Sequence, residues 1–302
     1  MMNNRKFQRM VVTVIIPALN EEISIGSMVI KAKKYADHVI VVDDGSTDDT
    51  AEVARDAGAD VVKHPRNKGK GEALKTGFFA ANQNGTKVIV TIDADGQHNP
   101  KDIPRVVEHI ISGEADMVIG SRYLNGNIPI YRRIGQKILD IATNMNCGKN
   151  CGISDTQSGF RAFAVNTLQA FQFNQNGFSI ESEMLTEATT AGLRIKEVDI
   201  ASRYDVDCNT DNPVIHGMTV LTDIIRDMEF RRPLYYFTIP GIILFAVGFY
   251  IGMNFIKDFI RVPESEFWSI LLMILLALIG IFLAFTGIIS DSVLRLLHKN
   301  RK

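Results

Sequence analysis

The segment Lys87 to His98 reads KVIVTIDADGQH, an apolar run that ends in two aspartates and a glycine. Such a run, followed by polar turn residues, is typical of a buried β-strand. Residues two apart on a strand project to one side, so Asp93 and Asp95 can share a ligand. Their oxygen atoms, with Gln97 after the glycine turn, favour Mg²⁺ or Mn²⁺ over zinc or copper. A purely structural turn is the alternative, and His98 is expected to be a neighbour, not a ligand.

Similar apolar runs alternate with amphipathic stretches over the first 200 residues. Strands are predicted at 11–16, 38–42, 60–63, 87–92, 115–119 and 194–200, and helices at 21–35, 48–57, 71–81, 101–111, 131–145 and 183–191. Strands this apolar indicate a mostly parallel sheet that is covered by helices on both faces. The predicted fold class is therefore α/β of the doubly wound kind, in which ligands bind beyond the carboxyl ends of the strands.

Polar residues follow the first two predicted strands. The first strand leads into Asn20, a good helix cap, and Glu21 and Glu22 suit the positive end of a helix dipole, so capping alone could explain this segment. The second ends in Asp43 and Asp44, and Ser46 with Asp49 would form a capping box if a helix begins there. The two adjacent acids exceed what capping needs, and they suit ribose hydroxyls or an amine of a base.

The stretch 67–72, NKGKGE, opens the third predicted helix. Backbone N–H groups at a helix start, together with lysine ammonium groups, suit a diphosphate. The stretch lacks the spacing of a P-loop, and a flexible solvated loop is the alternative.

Two long stretches, 233–256 and 267–290, contain no charged residue. Each exceeds the roughly 18 residues that indicate a membrane-spanning helix. Basic residues flank the pair, so both termini are expected in the cytoplasm and the loop 257–266 outside the cell membrane. A helical hairpin buried in a soluble protein is disfavoured, because both stretches are apolar all round. The remaining predicted parts are a cytoplasmic domain at 1–213, an amphipathic juxtamembrane helix at 214–232 and a basic tail at 291–302.

Charge and cysteine content narrow the class of protein. The net charge of −1 disfavours a nucleic-acid partner. The three cysteines are predicted to be free thiols, since Cys147 and Cys151 lack a second pair of zinc ligands at suitable spacing. A homo-oligomer remains open.

Six motifs in order make the chain resemble the inverting family-2 glycosyltransferases of the GT-A fold, particularly the synthases of dolichyl- and polyprenyl-phosphate sugars. They are PALNE at 17–21, DDGS at 43–46, KGKG at 68–71, DADGQ at 93–97, GSRY at 120–123 and SGFR at 158–161. The resemblance covers about residues 11–204 and implies a GT-A catalytic domain. It also implies a nucleotide-diphosphate-sugar donor, a polyprenyl phosphate acceptor in the membrane, and Mg²⁺ or Mn²⁺.

The resemblance implies roles for individual residues as well. Those implied to bind the nucleotide sugar are Pro17, Leu19, Glu21, Asp44, Lys70, Asp93, Ala94 and Asp95. Those implied to bind the metal are Asp93, Asp95 and Gln97. Those implied to meet the acceptor phosphate are Arg122, Arg132 and Arg203, and the catalytic set is Asp95, Arg122 and Arg132.

Two departures from the pattern of the dolichyl-phosphate mannose synthases bear on which sugar is transferred. Gln136 stands where dolichyl-phosphate mannose synthases have serine, and the stretch 205–213 lacks their Gly-Ser-Lys run. The chain looks more like the archaeal enzymes that charge dolichyl phosphate for N-linked or S-layer glycans, so UDP-GlcNAc or UDP-glucose is the expected donor and GDP-mannose the alternative. Whether Glu181 and Glu183 contact the sugar or lie on a helix surface stays open.

Other functions are disfavoured by particular absences. A processive polysaccharide synthase would carry a Gln-x-x-Arg-Trp motif, but the only tryptophan is Trp268. A nucleotidyltransferase would carry a glycine-rich N-terminal loop. A non-catalytic membrane scaffold that merely binds a nucleotide sugar would need an incomplete site, whereas both aspartates and both arginines are present.

Overall fold

The computed structural model describes residues 10–83, 85–122, 136–137, 139–141, 143–144, 147, 152–172, 180–201, 222, 234–258 and 267–299. The chain divides into two compact units, Met1–Ile224 and Ile225–Lys302. The strands of the first unit are β1 (Val12–Ala18), β2 (His38–Asp43), β3 (Asp60–Lys63), β4 (Val88–Thr91), β5 (Met117–Ser121), β6 (Arg161–Ala164) and β7 (Ile195–Asp199). Its helices are α1 (Glu22–Ala32), α2 (Thr50–Asp56), α3 (Lys70–Gln83), α4 (Ile103–Ile111) and α5 (Ile180–Thr190).

These strands form one sheet in the order β3-β2-β1-β4-β6-β5-β7. β6 runs antiparallel to both of its neighbours, while the other pairings in the sheet are parallel. The chain builds outward from β1 through β2 to β3 and then returns to place β4 on the other side of β1. A reversal of this kind opens a crevice at the carboxyl ends of the two central strands.

Apolar side chains cover both faces of the sheet. On β1, Val14 and Ile16 belong to one core cluster and Ile15 to the other, because successive side chains of a strand point to opposite faces. The first cluster includes Met28 of α1, and the second includes Phe78 of α3. Burial on both faces explains why the strands are apolar throughout, and the predicted α/β class is confirmed.

The strand β6 was not expected from the sequence. Its four residues, Arg161–Ala164, are too few to show a period, and they begin with a charged side chain. The helix predicted at 183–191 begins earlier, at Ile180, so Glu181 lies in its first turn. Within the helix predicted at 131–145, the described residues from Gln136 onward are helical.

The second unit contains two apolar helices, α6 (Ile239–Asp258) and α7 (Phe267–Lys299), and a π-helical turn at Leu234–Thr238 precedes α6. The segments Leu234–Asn254 and Ile270–Val293 are long and apolar enough to cross a membrane. The helix α7 continues through most of the basic stretch that was expected to be a tail. The juxtamembrane helix predicted at 214–232 lies outside the described residues except for Thr222, which is helical.

Glycines let the two apolar helices approach closely. A β-carbon on Gly280 would lie 2.5 Å from the backbone nitrogen of Phe245, and one on Gly241 would lie 2.6 Å from the carbonyl oxygen of Gly280. Gly248 is similarly close to the backbone nitrogen of Ala277, at 2.9 Å. Small residues at such a crossing allow backbone-to-backbone packing, which is a principal source of helix association in a bilayer.

Candidate active site

The carboxyl ends of three neighbouring strands meet at one edge of the sheet. Ala18 at the end of β1 pairs with Asp43 at the end of β2, and Ile15 of β1 pairs with Thr91 at the end of β4. The polar segments that follow these strands are therefore brought together, as the sequence predicted.

Asn20 joins two of these segments and does not cap α1. It has a positive φ of 56°, its Oδ1 accepts a hydrogen bond from the Thr47 amide at 2.9 Å, and its own amide donates to Ser46 Oγ at 2.9 Å. Glu21 occupies the N-cap position of α1. Capping therefore does not explain Asn20, because its side chain accepts a hydrogen bond from Thr47 in the segment after β2.

The capping box that Ser46 and Asp49 would form if a helix began there is absent, because that condition is not met. α2 begins only at Thr50, and the side chain of Asp49 makes no capping hydrogen bond. The amide of Ser46 instead donates to Oδ1 of Asp43 at 2.8 Å. Asp43 is fully buried and also forms an ion pair with Lys63 at 3.2 Å.

Asp44 holds the glycine-rich stretch in place. It is 4% exposed, and its carboxylate accepts hydrogen bonds from the amides of Lys68 at 3.0 Å and Gly69 at 2.7 Å. The same carboxylate lies 2.6 Å from Nδ1 of His64, whose Nε2 lies 2.9 Å from the Thr76 hydroxyl on α3. The stretch before α3 is thus anchored, which disfavours the alternative of a freely solvated loop.

Lys70 bridges two carboxylates. Its Nζ lies 2.7 Å from Oδ1 of Asp93 and 2.7 Å from Oε1 of Glu181. Burial alone would lower the pKa of Lys70, but the two carboxylates outweigh it and raise that pKa. Burial would raise the pKa of Asp93, but the ammonium of Lys70 and then His98 hold it well below its ordinary value. The ammonium of Lys70 and the carboxylates of Asp93 and Glu181 therefore form a stable ionic cluster.

Asp95 lies in a different electrostatic environment. Burial, and then the charge of Asp93, raise the pKa of Asp95, although the amide of Gln97 donates to its Oδ1 at 2.9 Å. The pKa of Glu21 is raised as well, first by burial and also by the charges of Asp95 and Asp93, against a hydrogen bond from Ser24. A cation beside Asp95 would relieve this repulsion.

These residues fit a divalent metal ion of the oxygen-preferring kind. Within the described part of the chain, no group of three or more His, Cys, Asp or Glu side chains is arranged to hold a metal. Mg²⁺ commonly takes only one or two carboxylates from the protein and completes its shell with water and substrate phosphates. Since Lys70 already neutralises Asp93, Asp95 is the better placed of the two aspartates.

Arg122 is clamped by Asp155. Its Nε and Nη2 donate to the two carboxylate oxygens at 2.7 and 2.8 Å, and its backbone amide donates to Oδ2 at 3.0 Å. The loop that carries Asp155 is held in turn, because Glu197 on β7 accepts from the amides of Ser154 and Asp155. Burial would raise the pKa of Asp155, but the charge and hydrogen bonds of Arg122 outweigh it and lower that pKa.

Arg161 is a buried cation in the wall of the crevice. It is 1% exposed and donates to three carbonyl oxygens, those of Ser158, Thr156 and Glu181, at 2.7 to 2.8 Å. Burial lowers the pKa of Arg161, and the carboxylates of Glu181, Asp155 and Asp93 oppose that effect. The arginine of the SGFR motif thus has a structural role, and its hydrogen bond to the carbonyl oxygen of Glu181 fixes the start of α5.

The other predicted site residues divide into two groups. Pro17 lines the same cleft as Lys70 and Asp93, Ala94 is buried, and Leu19 is 39% exposed. Arg132 and Arg203, implied to bind the acceptor phosphate, lie outside the described residues.

A family model described as glycosyl transferase family 2 matches residues 13–169, which is more than half of the chain. The chain belongs to glycosyl transferase family 2. The resemblance expected from the six motifs is thereby confirmed, and the protein is a glycosyltransferase.

Family-2 relatives with named activities include enzymes that use dolichyl phosphate. A UDP-N-acetylglucosamine–dolichyl-phosphate N-acetylglucosaminyltransferase of Methanococcus voltae is 34% identical over 63% of this chain and 84% of its own length. Glycosyltransferase AglJ of Haloferax volcanii is 28% identical over 96% of both chains. A dolichol-phosphate mannosyltransferase of Pyrococcus furiosus is 29% identical over 85% of this chain and 77% of its own.

Solved structures with this fold contain a divalent metal and a nucleotide. Glucosyl-3-phosphoglycerate synthase of Mycobacterium tuberculosis, crystallised with Mn²⁺, UDP and glucosyl-3-phosphoglycerate, aligns with a TM-score of 0.58 at 25% identity. The alignment covers 74% of this chain and 80% of that one. The likeness supports divalent-metal use within this architecture.

Proposed function

We propose that this protein transfers a sugar, with inversion, from a nucleotide-diphosphate sugar to dolichyl or polyprenyl phosphate. UDP-GlcNAc or UDP-glucose is the favoured donor. The product would be a lipid-linked monosaccharide for protein N-glycosylation or for cell-surface glycans. The Methanococcus voltae relative, whose name states this reaction for GlcNAc, supports the assignment.

The observation that carries the proposal is the cluster of acidic side chains at the carboxyl ends of the strands. Besides burial, the charge of Asp93 helps to raise the pKa of Asp95, and the charges of both aspartates help to raise that of Glu21, so a divalent ion beside Asp95 would relieve the repulsion among these carboxylates. When bound, Mg²⁺ or Mn²⁺ would stabilise the negative charge that develops on the departing diphosphate. Asp95, with Gln97 beside it, would hold that ion, while Asp44 anchors the stretch next to the nucleotide.

The acceptor side requires orientation more than deprotonation. A phosphate monoester has a second pKa of about 6, so at neutral pH it is already largely a nucleophilic dianion. Arg122 is held by Asp155 in a fixed direction, which suits it to position such a phosphate. An acceptor oxygen would attack the anomeric carbon while the bond from that carbon to the diphosphate breaks.

The apolar helices fit an acceptor that stays in the bilayer. They indicate a membrane protein, and an enzyme anchored beside a polyprenyl phosphate meets it at a raised local concentration. We place both termini and the catalytic domain in the cytoplasm. With the native cysteines replaced by serine, Ser265→Cys should react with an impermeant maleimide on intact cells and Lys302→Cys only after lysis; the reverse pattern would overturn this topology.

The reaction is tested with membranes that contain the full chain, Mg²⁺ or Mn²⁺ and dolichyl phosphate. Labelled UDP-GlcNAc, UDP-glucose and GDP-mannose are supplied separately, and label in the lipid extract is counted. We expect one UDP-sugar to give product and Asp95→Asn to abolish it. Product from GDP-mannose alone would favour mannose transfer, which the Pyrococcus furiosus relative supports. Lack of any product and of any donor hydrolysis would overturn dolichyl phosphate as the acceptor and favour another one.

A further inference from the structure

Carboxylates from two other elements fix the backbone around Asp155. On β7, Glu197 accepts a hydrogen bond from the amide of Asp155 at 2.9 Å. In the helical stretch after Gln136, Asp140 accepts two hydrogen bonds from Thr156, one from its amide at 2.8 Å and one from its hydroxyl at 2.7 Å. Both of these donors meet Oδ1 of Asp140. The peptide groups before and after the α-carbon of Asp155 therefore each donate to a carboxylate.

This arrangement restrains the direction in which the side chain of Asp155 points. A peptide group is planar, so a hydrogen bond from its N–H restrains the orientation of the whole group. The N–H of Thr156 belongs to the peptide group that joins Thr156 to Asp155, and the N–H of Asp155 belongs to the preceding group. With both groups held, the backbone dihedral angles of Asp155 are restrained, and so is its bond from the α-carbon to the β-carbon. The carboxylate of that side chain clamps Arg122.

The contact between Asp140 and Thr156 is buried. Asp140 is 6% exposed, and Thr156 is fully buried. A buried carboxylate is costly unless hydrogen bonds satisfy it, so separating these two residues is unfavourable. The carbonyl oxygen of Thr156 is held as well, because it accepts a hydrogen bond from Nη2 of Arg161 at 2.7 Å. Thr156 therefore cannot turn without breaking several hydrogen bonds at once.

A second residue of the same helical stretch holds the chain before Asp155. The side-chain amide of Asn144 donates to the carbonyl oxygen of Ile153 at 2.8 Å, and its Oδ1 accepts from the amide of Ile153 at 3.3 Å. Asp140 and Asn144 are four residues apart in helical backbone, so they lie on one face. That face therefore contacts the loop on both sides of Asp155.

We propose that Asp140 is a positioning residue for the acceptor phosphate. It holds Thr156, Thr156 restrains the carboxylate of Asp155, and that carboxylate orients the guanidinium of Arg122. In this role Asp140 acts through Asp155 and not by contact with the phosphate, so its loss should weaken use of the acceptor and leave the donor side unchanged. The inference rests on the proposed function and deepens it, because it assigns to the acceptor site a residue beyond the arginines.

The test is steady-state kinetics of the full chain in membranes, with dolichyl phosphate varied. Asp140→Ala removes both hydrogen bonds to Thr156, so KM for dolichyl phosphate should rise about tenfold while kcat and the donor KM stay within about twofold of wild type. Asp140→Asn should keep KM within about twofold of wild type, because an amide oxygen can accept the same two hydrogen bonds. Thr156→Val removes only the hydroxyl group and should raise KM about threefold, which tests the contact even if Asp140→Ala does not fold. An unchanged acceptor KM in Thr156→Val and in folded Asp140→Ala, or a loss in Asp140→Asn as large as in Asp140→Ala, would overturn the inference.

A double-mutant cycle with Asp155→Asn separates positioning from a general loss of structure. Asp155→Asn already weakens the hold on Arg122, so adding Asp140→Ala should raise KM for dolichyl phosphate by no more than about twofold further. Effects that are independent of each other would multiply. A double variant whose KM rises by the product of the two single effects would therefore overturn the inference.

A matched control lies on the same helical stretch. Sγ of Cys147 lies 3.5 Å from the hydroxyl of Thr186 on α5. Cys147→Ala removes this contact and leaves the hydrogen bonds of Asp140 in place, so the acceptor KM should stay within about twofold of wild type. A rise as large as that of Asp140→Ala would overturn the inference, because the packing of the helical stretch would then be responsible.

Failure of the inference can be distinguished from failure of the proposed function. If wild type transfers no sugar to dolichyl phosphate, the proposed function fails, and the dissociation constant of inorganic phosphate is measured on the purified full chain instead. We then expect Asp140→Ala to bind inorganic phosphate about fivefold more weakly than wild type. Equal dissociation constants would overturn the inference.

Discussion

Gly159 lies so close to Asp93 that a β-carbon on the glycine would overlap the carboxylate oxygens of that aspartate. No side chain fits there unless Asp93 moves. We predict that Gly159→Ala displaces the carboxylate from Lys70 and lowers kcat/KM by about 100-fold, since small displacements at a reacting site are costly. Transfer to dolichyl phosphate in membranes measures the effect.

The control for this substitution is Gly113→Ala. Gly113 has a positive φ of 73° and open space around it, so alanine there strains the backbone without touching the site. It should cost about 1 kcal/mol of stability and leave kcat/KM within twofold or so of wild type. Similar losses of activity in the two variants would mean that Gly159 acts through stability alone.

The clamp on Arg122 predicts a separate effect on the acceptor. In Asp155→Asn an amide group replaces one of the oxygens that direct the guanidinium, so Arg122 should be less well oriented. We expect KM for dolichyl phosphate to rise about tenfold while KM for the donor changes little. A rise confined to the donor KM would contradict the assignment of Arg122 to the acceptor phosphate.

The same ion pair predicts a pH dependence of stability. The pKa of Asp155 is lower in the folded protein than in the unfolded chain, so its contribution is complete above the unfolded value of about 4 and is lost as pH falls through the folded value. At pH 7 the loss of the ion pair in Asp155→Asn should cost about 3 kcal/mol, and Tm should fall by roughly 10 °C. Circular dichroism of the full chain in detergent should show the difference in Tm between wild type and Asp155→Asn becoming smaller below about pH 4. A difference in Tm that does not depend on pH would rule out the ionised pair as its cause.

His64 provides a test of the anchored stretch before α3. His64→Ala removes the side chain that joins Asp44 to Thr76, so Lys68 and Gly69 lose a fixed support. The donor KM should rise about tenfold with a smaller change in kcat, because a loosened binding element costs ordering entropy. Thr76→Val removes only the second hydrogen bond of the imidazole and should change KM by about threefold or less. A fall in Tm with an unchanged donor KM would show that His64 serves stability only.

The close crossing of α6 and α7 predicts sensitivity to side-chain size. Gly280→Leu would drive a side chain into the backbone of Phe245, which cannot move aside without separating the helices. The cost should be about 2 kcal/mol or more, seen as a lower temperature of aggregation of the detergent-solubilised protein. Phe282→Leu, at a position 73% exposed, should leave that temperature unchanged. Equal behaviour of the two variants would argue against the glycine contact.

Much of the fold follows from local sequence. β1, β2 and β4 are apolar because both faces of the sheet are covered, and the polar residues after them mark the site. β6 was missed because its four residues carry no periodic signal and its antiparallel direction is decided by partners on β4 and β5.

The parts of the site that the sequence did not predict are those held by distant partners. His64 meets Asp44 across 20 residues, and Asp155 meets Arg122 across 33. Asn20 appeared to be a cap because its partner Thr47, 27 residues away, is invisible in a local pattern. A charged residue at the start of a short apolar segment, such as Arg161, is the one local signal that would have pointed to a buried network.

The position of the antiparallel strand β6 also determines the order in which the strands can pair while the chain is being synthesised. Both neighbours of β5 in the sheet, β6 and β7, come later in the chain. The quartet β3-β2-β1-β4 can assemble as soon as residue 91 has left the ribosome, but β5 must wait for Arg161–Ala164 to reach it. Pairings of such long sequence separation form slowly. During synthesis the edges of β4 and β5 therefore stay unpaired until β6 arrives, and unpaired strand edges are prone to aggregation.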